Sequence, residues 1–217
     1  MANNSISSVK DDVFISENDT TTYFSFDTTL QSIFTYFSSI TNLPDEEWSS
    51  FLSILEYKHV DKNEHIQHEG QLLGDQFFIA KGFFLCYYEN EEQHFIKDFY
   101  SELTPIFATM NPIMKLPALY NIVAIEKSEI LYIPSHKSVE LFCSHNCWQD
   151  ISRAAAEQRF SYSEKKDLYT RTKSIEEQYS YLLEHQPDIL ERAKHYQIAS
   201  YLGISPETFS RFRKKML

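Results

Sequence analysis

Apolar residues in the first third of the chain recur at helical spacing. From Thr29 the pattern is one apolar residue every three or four positions, as in Leu30, Ile33 and Phe37, which is the period of an amphipathic helix. A second helix is predicted after Pro44, with its apolar positions at Trp48, Phe51, Leu52 and Leu55. Residues 1–28 are polar and show no sustained period, so they are predicted to form a tail.

The middle of the chain changes to short segments that are rich in aromatic and β-branched residues. Turn signals such as Glu69-Gly70 and Lys81-Gly82 separate these segments. The pattern predicts strands at 76–81, 83–88, 94–100, 120–125 and 129–133. Many short strands with regular turns favour a closed or double-sheet β domain of jelly-roll type.

Helical spacing returns after Pro134. Ser135 is predicted to cap a helix, and a longer helix is predicted from about Cys147 to Tyr169. The apolar seam of that long helix is thin and consists of Ile151, Ala155, Tyr162 and Tyr169. A further helix is predicted at 173–184, ending before Pro187.

The last 23 residues, 195–217, predict two short helices joined by a tight turn. Gly203 suits the left-handed conformation that ends a helix, Ser205 is a good N-cap, and Pro206 is favoured at the first helical position. In the second helix, Phe209, Phe212 and Met216 share one face. Glu207, Arg211 and Lys214 cluster near the opposite face, with Thr208 and Lys215 along one edge. A buried back and a cationic front are what a helix-turn-helix needs in the DNA major groove.

The charge distribution supports nucleic-acid contact at this end of the chain only. The formal net charge of the whole chain is −11. Residues 192–217 contain six cationic residues and one anionic residue, a local charge of +5, which leaves −16 for the remainder. Because phosphate contacts depend on local charge, a basic tip on an acidic body is sufficient.

The run IASYLGISPETFSRFRKK resembles the helix-turn-helix of the Crp/Fnr family of bacterial transcription regulators. The specific match is the pattern G-I-S-x-E-T-x-x-R, at Gly203, Ile204, Ser205, Glu207, Thr208 and Arg211. The pieces HIQHEG, FFIAKGFFLCYY and AIEKSEILYIP are similar to that family's cyclic-nucleotide-binding β-roll, so the resemblance covers most of the chain from about Leu30.

The resemblance implies an α+β fold with four parts. These are a polar tail (1–28), N-terminal helices with a jelly-roll-like sensor domain (29–145), a long dimerisation helix (146–170) and a small helix-turn-helix domain (171–217). The β-hairpin wing of many relatives is expected to be missing. The implied partners are double-stranded DNA, a second copy of the chain and RNA polymerase. For the long helix, a plain connector is the alternative to a dimerisation helix.

The resemblance also implies roles for residues in the last helix. Glu207 would accept a hydrogen bond from a cytosine amino group, and Arg211 would read the guanine O6 and N7 atoms. Ser205 and Thr208 would touch phosphates or base edges. Arg213, Lys214 and Lys215 are better suited to phosphates than to bases, and Arg213 lies far round the helix.

The effector pocket of the family corresponds here to Tyr100, Glu102, Leu103 and Lys115. Members that bind cyclic nucleotides have a Gly-Glu-Leu segment and a later Arg-Ser or Arg-Thr pair. Here Ser101 replaces that glycine, and the stretch 115–120 has no arginine. A buried cyclic phosphate without a guanidinium would be poorly compensated, so we expect another small-molecule effector or none.

Other function classes find little support in the sequence. No apolar run approaches the roughly 18–20 residues of a membrane span, and the N-terminus lacks the pattern of a secretory signal. Three cysteines indicate a reducing, cytoplasmic setting rather than a disulfide framework. Cys143 and Cys147 have no second ligand pair at zinc-site spacing, and no cysteine precedes Cys86, so neither zinc nor an iron–sulfur cofactor is expected.

Three hypotheses remain after this reading. The first is a homodimeric, DNA-binding transcription regulator. The second is a ligand-binding module whose vestigial helix-turn-helix no longer binds DNA. The third is an enzyme on a β-roll, which the histidines at 65, 68 and 94 do not support because they lack the spacing of a jelly-roll metal site. We therefore expect neither catalysis nor a cofactor.

Overall fold

The computed structural model describes residues 20–72, 74–91, 93–107 and 117–216. The N-terminal part begins with helices α1 (Thr20–Ile40) and α2 (Asp45–Ile54). Eight strands follow: β1 (Glu56–Val60), β2 (His65–Gln67), β3 (Gln76–Lys81), β4 (Phe84–Asn90), β5 (Gln93–Tyr100), β6 (Pro105–Phe107), β7 (Asn121–Ala124) and β8 (Ser128–Ile133). Six helices complete the chain: α3 (Ser135–Ser144), α4 (Asn146–Thr172), α5 (Ile175–His185), α6 (Pro187–Arg192), α7 (His195–Tyr201) and α8 (Pro206–Met216).

The strands form two four-stranded antiparallel sheets. Their orders are β1-β8-β3-β6 and β2-β7-β4-β5, and neighbouring strands in each sheet are often distant in sequence. Two facing sheets with such crossovers are a jelly roll, which we call the β-roll below. The predicted α+β class and jelly-roll domain are therefore confirmed.

Several element boundaries differ from those predicted. α1 begins at Thr20 rather than Thr29, so residues 20–28 of the expected polar tail are helical, and Phe26 is buried in the core. Ser135 is the first residue of α3 and not its cap; its backbone N–H donates to Asp75 Oδ1 at 2.9 Å. Strands β1, β2 and β6 and the short helix α6 were not predicted; β2 and β6 have only three residues each, which is too short to show a period.

The N-terminal core lies between the helices and one end of the β-roll. Trp148, Phe51 and Phe37 are almost completely buried, with the Trp148 ring stacked on Phe51 at 5.7 Å between centroids. The indole N–H of Trp148 donates to Glu47 at 2.6 Å, which satisfies the one polar atom of that side chain. This core joins α1 and α2 to the start of α4 and fixes where the long helix leaves the β-roll.

The first four residues of strand β4 are buried on both faces, which explains the apolar run there, whereas Tyr88, Glu89 and Asn90 are exposed. Phe84 and Cys86 point into the β-roll interior, whereas Leu85 and Tyr87 point outward into a second core. In β5, Asp98 pairs with Cys86 and Ile96 pairs with Tyr87, so a bulge at Lys97 inserts one extra residue. The bulge places Ile96 and Phe99 on the same outward face although they are three residues apart.

The outward face of β4 and β5 is covered by the C-terminal helices. Ile198, Ala199 and Leu202 of the α7 region pack in one cluster with Leu85, Tyr87, Ile96 and Phe99. Ser200 also closes the free edge of β5, because its hydroxyl accepts from the Ile96 N–H at 3.0 Å and donates to the His94 carbonyl at 3.2 Å. The β-roll and the C-terminal domain therefore share a core.

Candidate nucleic-acid interface

Helices α7 and α8 are joined by a turn that depends on Gly203. This residue has φ +70°, and the Ile204 N–H donates to the Ala199 carbonyl at 3.0 Å across the turn. The Ser205 hydroxyl accepts from the Thr208 N–H at 3.2 Å and so caps α8, as the sequence predicts. These bonds satisfy polar groups at both helix ends and set the angle between the helices.

The inner face of α8 is apolar and buried. Phe209 is 1% exposed and Phe212 is 9% exposed, and both rings contact Tyr179 of α5 in edge-on geometry, at 5.8 and 5.2 Å between centroids. This packing holds α8 on the C-terminal domain by one side only.

The outer face of α8 presents charged groups to solvent. Glu207, Arg211, Lys214 and Lys215 are exposed. Within the described part of the chain, none of the three cationic side chains has a carboxylate within ion-pair distance. The backbone N–H of Glu207 and the Ser205 hydroxyl lower the pKa of Glu207, so it is ionised at neutral pH and is an acceptor only. The Arg211 guanidinium reaches the Thr208 hydroxyl at 3.4 Å.

Arg213 lies apart from this group. Its guanidinium contacts the imidazole of His195 on α7, so the side chain turns back toward the domain. The structure thus brings together Ser205, Glu207, Thr208, Arg211, Lys214 and Lys215 on one exposed surface, which we call the α8 surface, and leaves Arg213 at its margin.

The residues predicted for the effector pocket do not lie together. Tyr100 is buried and lines a cavity between the β-roll and the C-terminal half of the chain. The Glu102 carboxylate instead accepts two hydrogen bonds from Arg192, at 2.7 and 2.9 Å, and one from the Gly82 N–H at 2.8 Å. Leu103 has φ +62° and is 52% exposed, outside the cavity, and Lys115 falls outside the described residues.

The residues of the predicted seam of α4 all contact the same chain, although Tyr162 is also partly exposed to solvent. Ile151 and Ala155 are buried in the fold, the Tyr162 hydroxyl donates to Asp98 at 2.8 Å, and the Tyr169 ring packs on Tyr181 at 4.9 Å. A partner chain therefore cannot reach Ile151 or Ala155 without displacing other parts of the fold, whereas Tyr162 is 42% exposed. The most exposed large apolar residues of α4 are Phe160 and Leu168, at 68% and 62%.

Comparison with solved structures gives the fold. A protein described as a Crp/Fnr-family transcriptional regulator from Eubacterium rectale matches with a TM-score of 0.66 at 16% identity, over 83% of this chain and 87% of that one. FixK2 from Bradyrhizobium japonicum matches with a TM-score of 0.65 at 16% identity, over 75% of this chain and 84% of that one. CLP from Xanthomonas campestris, described as a c-di-GMP-responsive global regulator, matches with a TM-score of 0.61 at 13% identity, over 80% and 91%.

The chain has the fold of the Crp/Fnr transcriptional regulators. The resemblance seen in the sequence is thereby confirmed at the level of the fold. No protein-family model matches the sequence, and no curated protein sequence matches it either.

Four charged residues connect the parts of this fold, and the sequence analysis did not identify them. Asp98 of β5 is 2% exposed and pairs with Lys97 at 2.9 Å and with Lys166 of α4 at 2.8 Å. Arg192 joins the C-terminal domain to Glu102 and Glu126 of the β-roll. Arg159 of α4 is partly buried beside Tyr120. Arg159 and Lys166 lie on the same face of α4 as Ala155 and Tyr162. Their helical spacing from those two residues is the signal in the sequence that could have identified them.

Two further classes of site can be checked in the described residues. Where the structure is described, no three histidine, cysteine or acidic side chains gather to hold a metal ion. None of the described helices combines the length and apolarity needed to cross a membrane.

Proposed function

We propose that the chain is a cytoplasmic transcription regulator that binds specific DNA sequences through α8. The observation that supports this most directly is the α8 surface, where three cations without carboxylate partners surround an ionised Glu207 on a helix whose other side is fixed in a core. A helix presented in this way fits the major groove and offers both charge and hydrogen-bonding groups. The similar folds belong to proteins described as transcriptional regulators.

In this proposal the side chains of the α8 surface divide into two roles. Arg211 reads guanine through its O6 and N7 atoms, and Glu207 accepts from a cytosine amino group. Lys214 and Lys215 contact phosphates, and Ser205 and Thr208 touch phosphates or base edges near the start of the helix. Arg213, which contacts His195, lies at the margin of the α8 surface and is assigned to phosphate contact.

We further propose that two copies associate through the outer face of α4. Phe160 and Leu168 are eight residues apart, so they lie about 80° apart around the helix axis, on one exposed side of α4 that also carries Glu157 and Glu164. A parallel pairing of two such helices would place two α8 surfaces on one side of the dimer. Two recognition helices roughly 34 Å apart, one turn of DNA, would then read a two-fold-symmetric site.

Selection of genomic fragments by the purified protein at about 150 mM salt, followed by sequencing, tests this proposal. We expect a recurring inverted repeat whose half-sites are one helical turn apart. The same selection with Arg211→Ala is the matched control and should lose the enrichment of one base position in each half-site. Enrichment of no sequence by the wild-type protein would contradict the proposal and favour a ligand-binding module without a DNA function.

A further inference from the structure

Three of the eight histidines of the chain lie close together beside the sheet β2-β7-β4-β5. The His65 ring of β2 stacks on the ring of His68 at 4.7 Å between centroids, and the His65 Nε2 atom lies 2.9 Å from the Tyr87 hydroxyl of β4. The Tyr87 ring in turn lies 4.3 Å from the ring of His94 in β5. Tyr87 thus links the three imidazoles, and we call His65, His68 and His94 the histidine cluster.

The histidine cluster borders the contact between the β-roll and α7. Tyr87 is 5% exposed and packs in the same core as Ile198 of α7. The His94 carbonyl accepts from the Ser200 hydroxyl, which itself accepts from the Ile96 N–H. A change of charge in the cluster therefore acts next to the residues that hold α7 on the sheet.

The groups around the cluster offer limited compensation for added positive charge. The carboxylate that acts on His65 is that of Glu89 in β4, which lies 3.3 Å from His94 Nε2 and is about half exposed. β7 places the apolar Val123 opposite His65, and α7 contributes the neutral hydroxyl of Ser200. The other charged groups nearby are the sequence neighbours Glu64, which pairs with Lys58 at 2.7 Å, and Glu69.

Protonation of His65 changes its contacts. Burial, together with the charges of His68 and His94, lowers the pKa of His65, and the charge of Glu89 opposes this only in part. A protonated imidazole donates from both nitrogens, so His65 could then no longer accept from the Tyr87 hydroxyl. Because this pKa lies below the ordinary value of about 6.5, the stability that neutral His65 contributes is complete above that pH and is lost as the pH falls below it.

We propose that the histidine cluster is an acid-sensitive contact that loosens α7 from the β-roll between about pH 7 and pH 5. At neutral pH, His65 is uncharged and bonded to Tyr87, and Ser200 closes the edge of β5. Protons taken up at lower pH place like charges on stacked rings, and the contact with α7 opens more often. Since the test contains no DNA, its outcome is independent of the function proposed for α8.

Hydrogen exchange of the Ile96 amide measures this opening, because its N–H is bonded to Ser200 of α7. The quantity compared is the protection factor, which removes the effect of pH on the intrinsic exchange rate. We expect the protection factor of Ile96 in the full chain to fall at least about tenfold between pH 7.5 and pH 5. Free carboxyl groups titrate near about pH 4, below this range.

Variants test whether the fall arises in the cluster. Glutamine is polar and takes up no proton in this range, so the triple variant His65→Gln/His68→Gln/His94→Gln should reduce the fall to less than about threefold. His136→Gln, at an exposed histidine of α3, is the matched control and should keep the fall of the wild type. Circular dichroism at pH 7.5 confirms folding. If the triple variant does not fold, the single variants at the exposed His68 and His94 decide, and each should reduce the fall at least about twofold.

Two results would overturn the proposal. The first is a protection factor of Ile96 in the wild type that is the same at pH 7.5 and pH 5, which would show that the contact with α7 is not sensitive to acid. The second is an equal fall in the wild type and in the glutamine variants, which would place the acid-sensitive group outside the histidine cluster.

Discussion

Gly203 is the residue on which the geometry of the helix-turn-helix depends. Its φ of +70° is costly for any residue with a side chain, and since no atom lies within 4 Å of a Cβ built there, the cost is conformational rather than steric crowding. We expect Gly203→Ala to lower the free energy of unfolding by about 1–2 kcal/mol, measured by urea denaturation. Ser210→Ala, at an exposed position of α8, is the control and should change stability by less than about 0.5 kcal/mol. Equal effects of the two substitutions would show that the turn does not require the left-handed conformation.

The buried carboxylate of Asp98 makes the free energy of unfolding depend on pH. Burial alone raises the pKa of this carboxyl, but the charges of Lys166 and Lys97 outweigh burial and hold the pKa below its ordinary value. A carboxyl with a depressed folded-state pKa contributes stability above its unfolded pKa, and this contribution is lost as the pH falls through the folded pKa. Stability from Asp98 should therefore be complete at neutral pH and disappear below about pH 4.

Asp98→Asn tests this dependence. At pH 7 the variant leaves two lysines without their buried partner, and we expect a loss of about 3 kcal/mol or more in the free energy of unfolding. The difference from the wild type should shrink as the pH is lowered from 7 to 3 in urea titrations. Asp150→Asn, which removes an exposed carboxylate of α4, is the control. A difference for Asp98→Asn that is the same at pH 7 and pH 3 would contradict the assignment.

The helices illustrate what the sequence can and cannot predict at the scale of elements. The cap of α8, its apolar inner face and its charged outer face follow from local chemistry, and the sequence predicted them. The apolar seam of α4 was also detected, but the sequence left two roles open for it, a dimerisation helix and a plain connector. Periodicity shows that one face of a helix is covered, and it does not show whether another molecule or the same chain covers it. Here the same chain does so, through Asp98 and the N-terminal core.

The outer face of α4 gives the test of association. We expect the wild type to sediment as a dimer and Phe160→Asp to sediment as a monomer, because a charge buried in an apolar contact is strongly unfavourable. Leu183→Asp, at an exposed leucine of α5, is the matched control and should remain dimeric. A Phe160→Asp variant that stays dimeric would place the interface elsewhere.

At the scale of the whole molecule, the DNA-binding domain is held on the β-roll by a mixed interface. Arg192 stacks over Phe83 at 4.7 Å and bonds to Glu102 and Glu126, next to the apolar cluster around α7. Long-range contacts of this kind have no local signal in the sequence, and Glu102 was assigned to the effector pocket from its match to the Gly-Glu-Leu segment of the family. The orientation of α8 therefore depends on an interface that includes Phe83, which also lines the cavity between the β-roll and the C-terminal half of the chain.

Arg192→Met separates the charged part of this interface from its packing. The variant keeps an apolar side chain over Phe83 and removes the bonds to both carboxylates, which are partly solvent-exposed, so we expect a loss of only about 1–2 kcal/mol in the free energy of unfolding. Hydrogen exchange of the Ile96 amide, which is bonded to Ser200, should become faster. Arg153→Met is the control; unchanged exchange at Ile96 in Arg192→Met would show that the interface does not depend on Arg192.

The assignment of α8 as a DNA-reading helix is tested most directly by fluorescence anisotropy on the selected operator and its single-base variants. Arg211→Ala should cost about 1–3 kcal/mol and relax specificity at a single base position. Lys214→Ala should weaken binding to every sequence alike and reduce the slope of log affinity against log salt by about one unit. The same uniform loss for both variants, or no loss for either, would contradict the assignment.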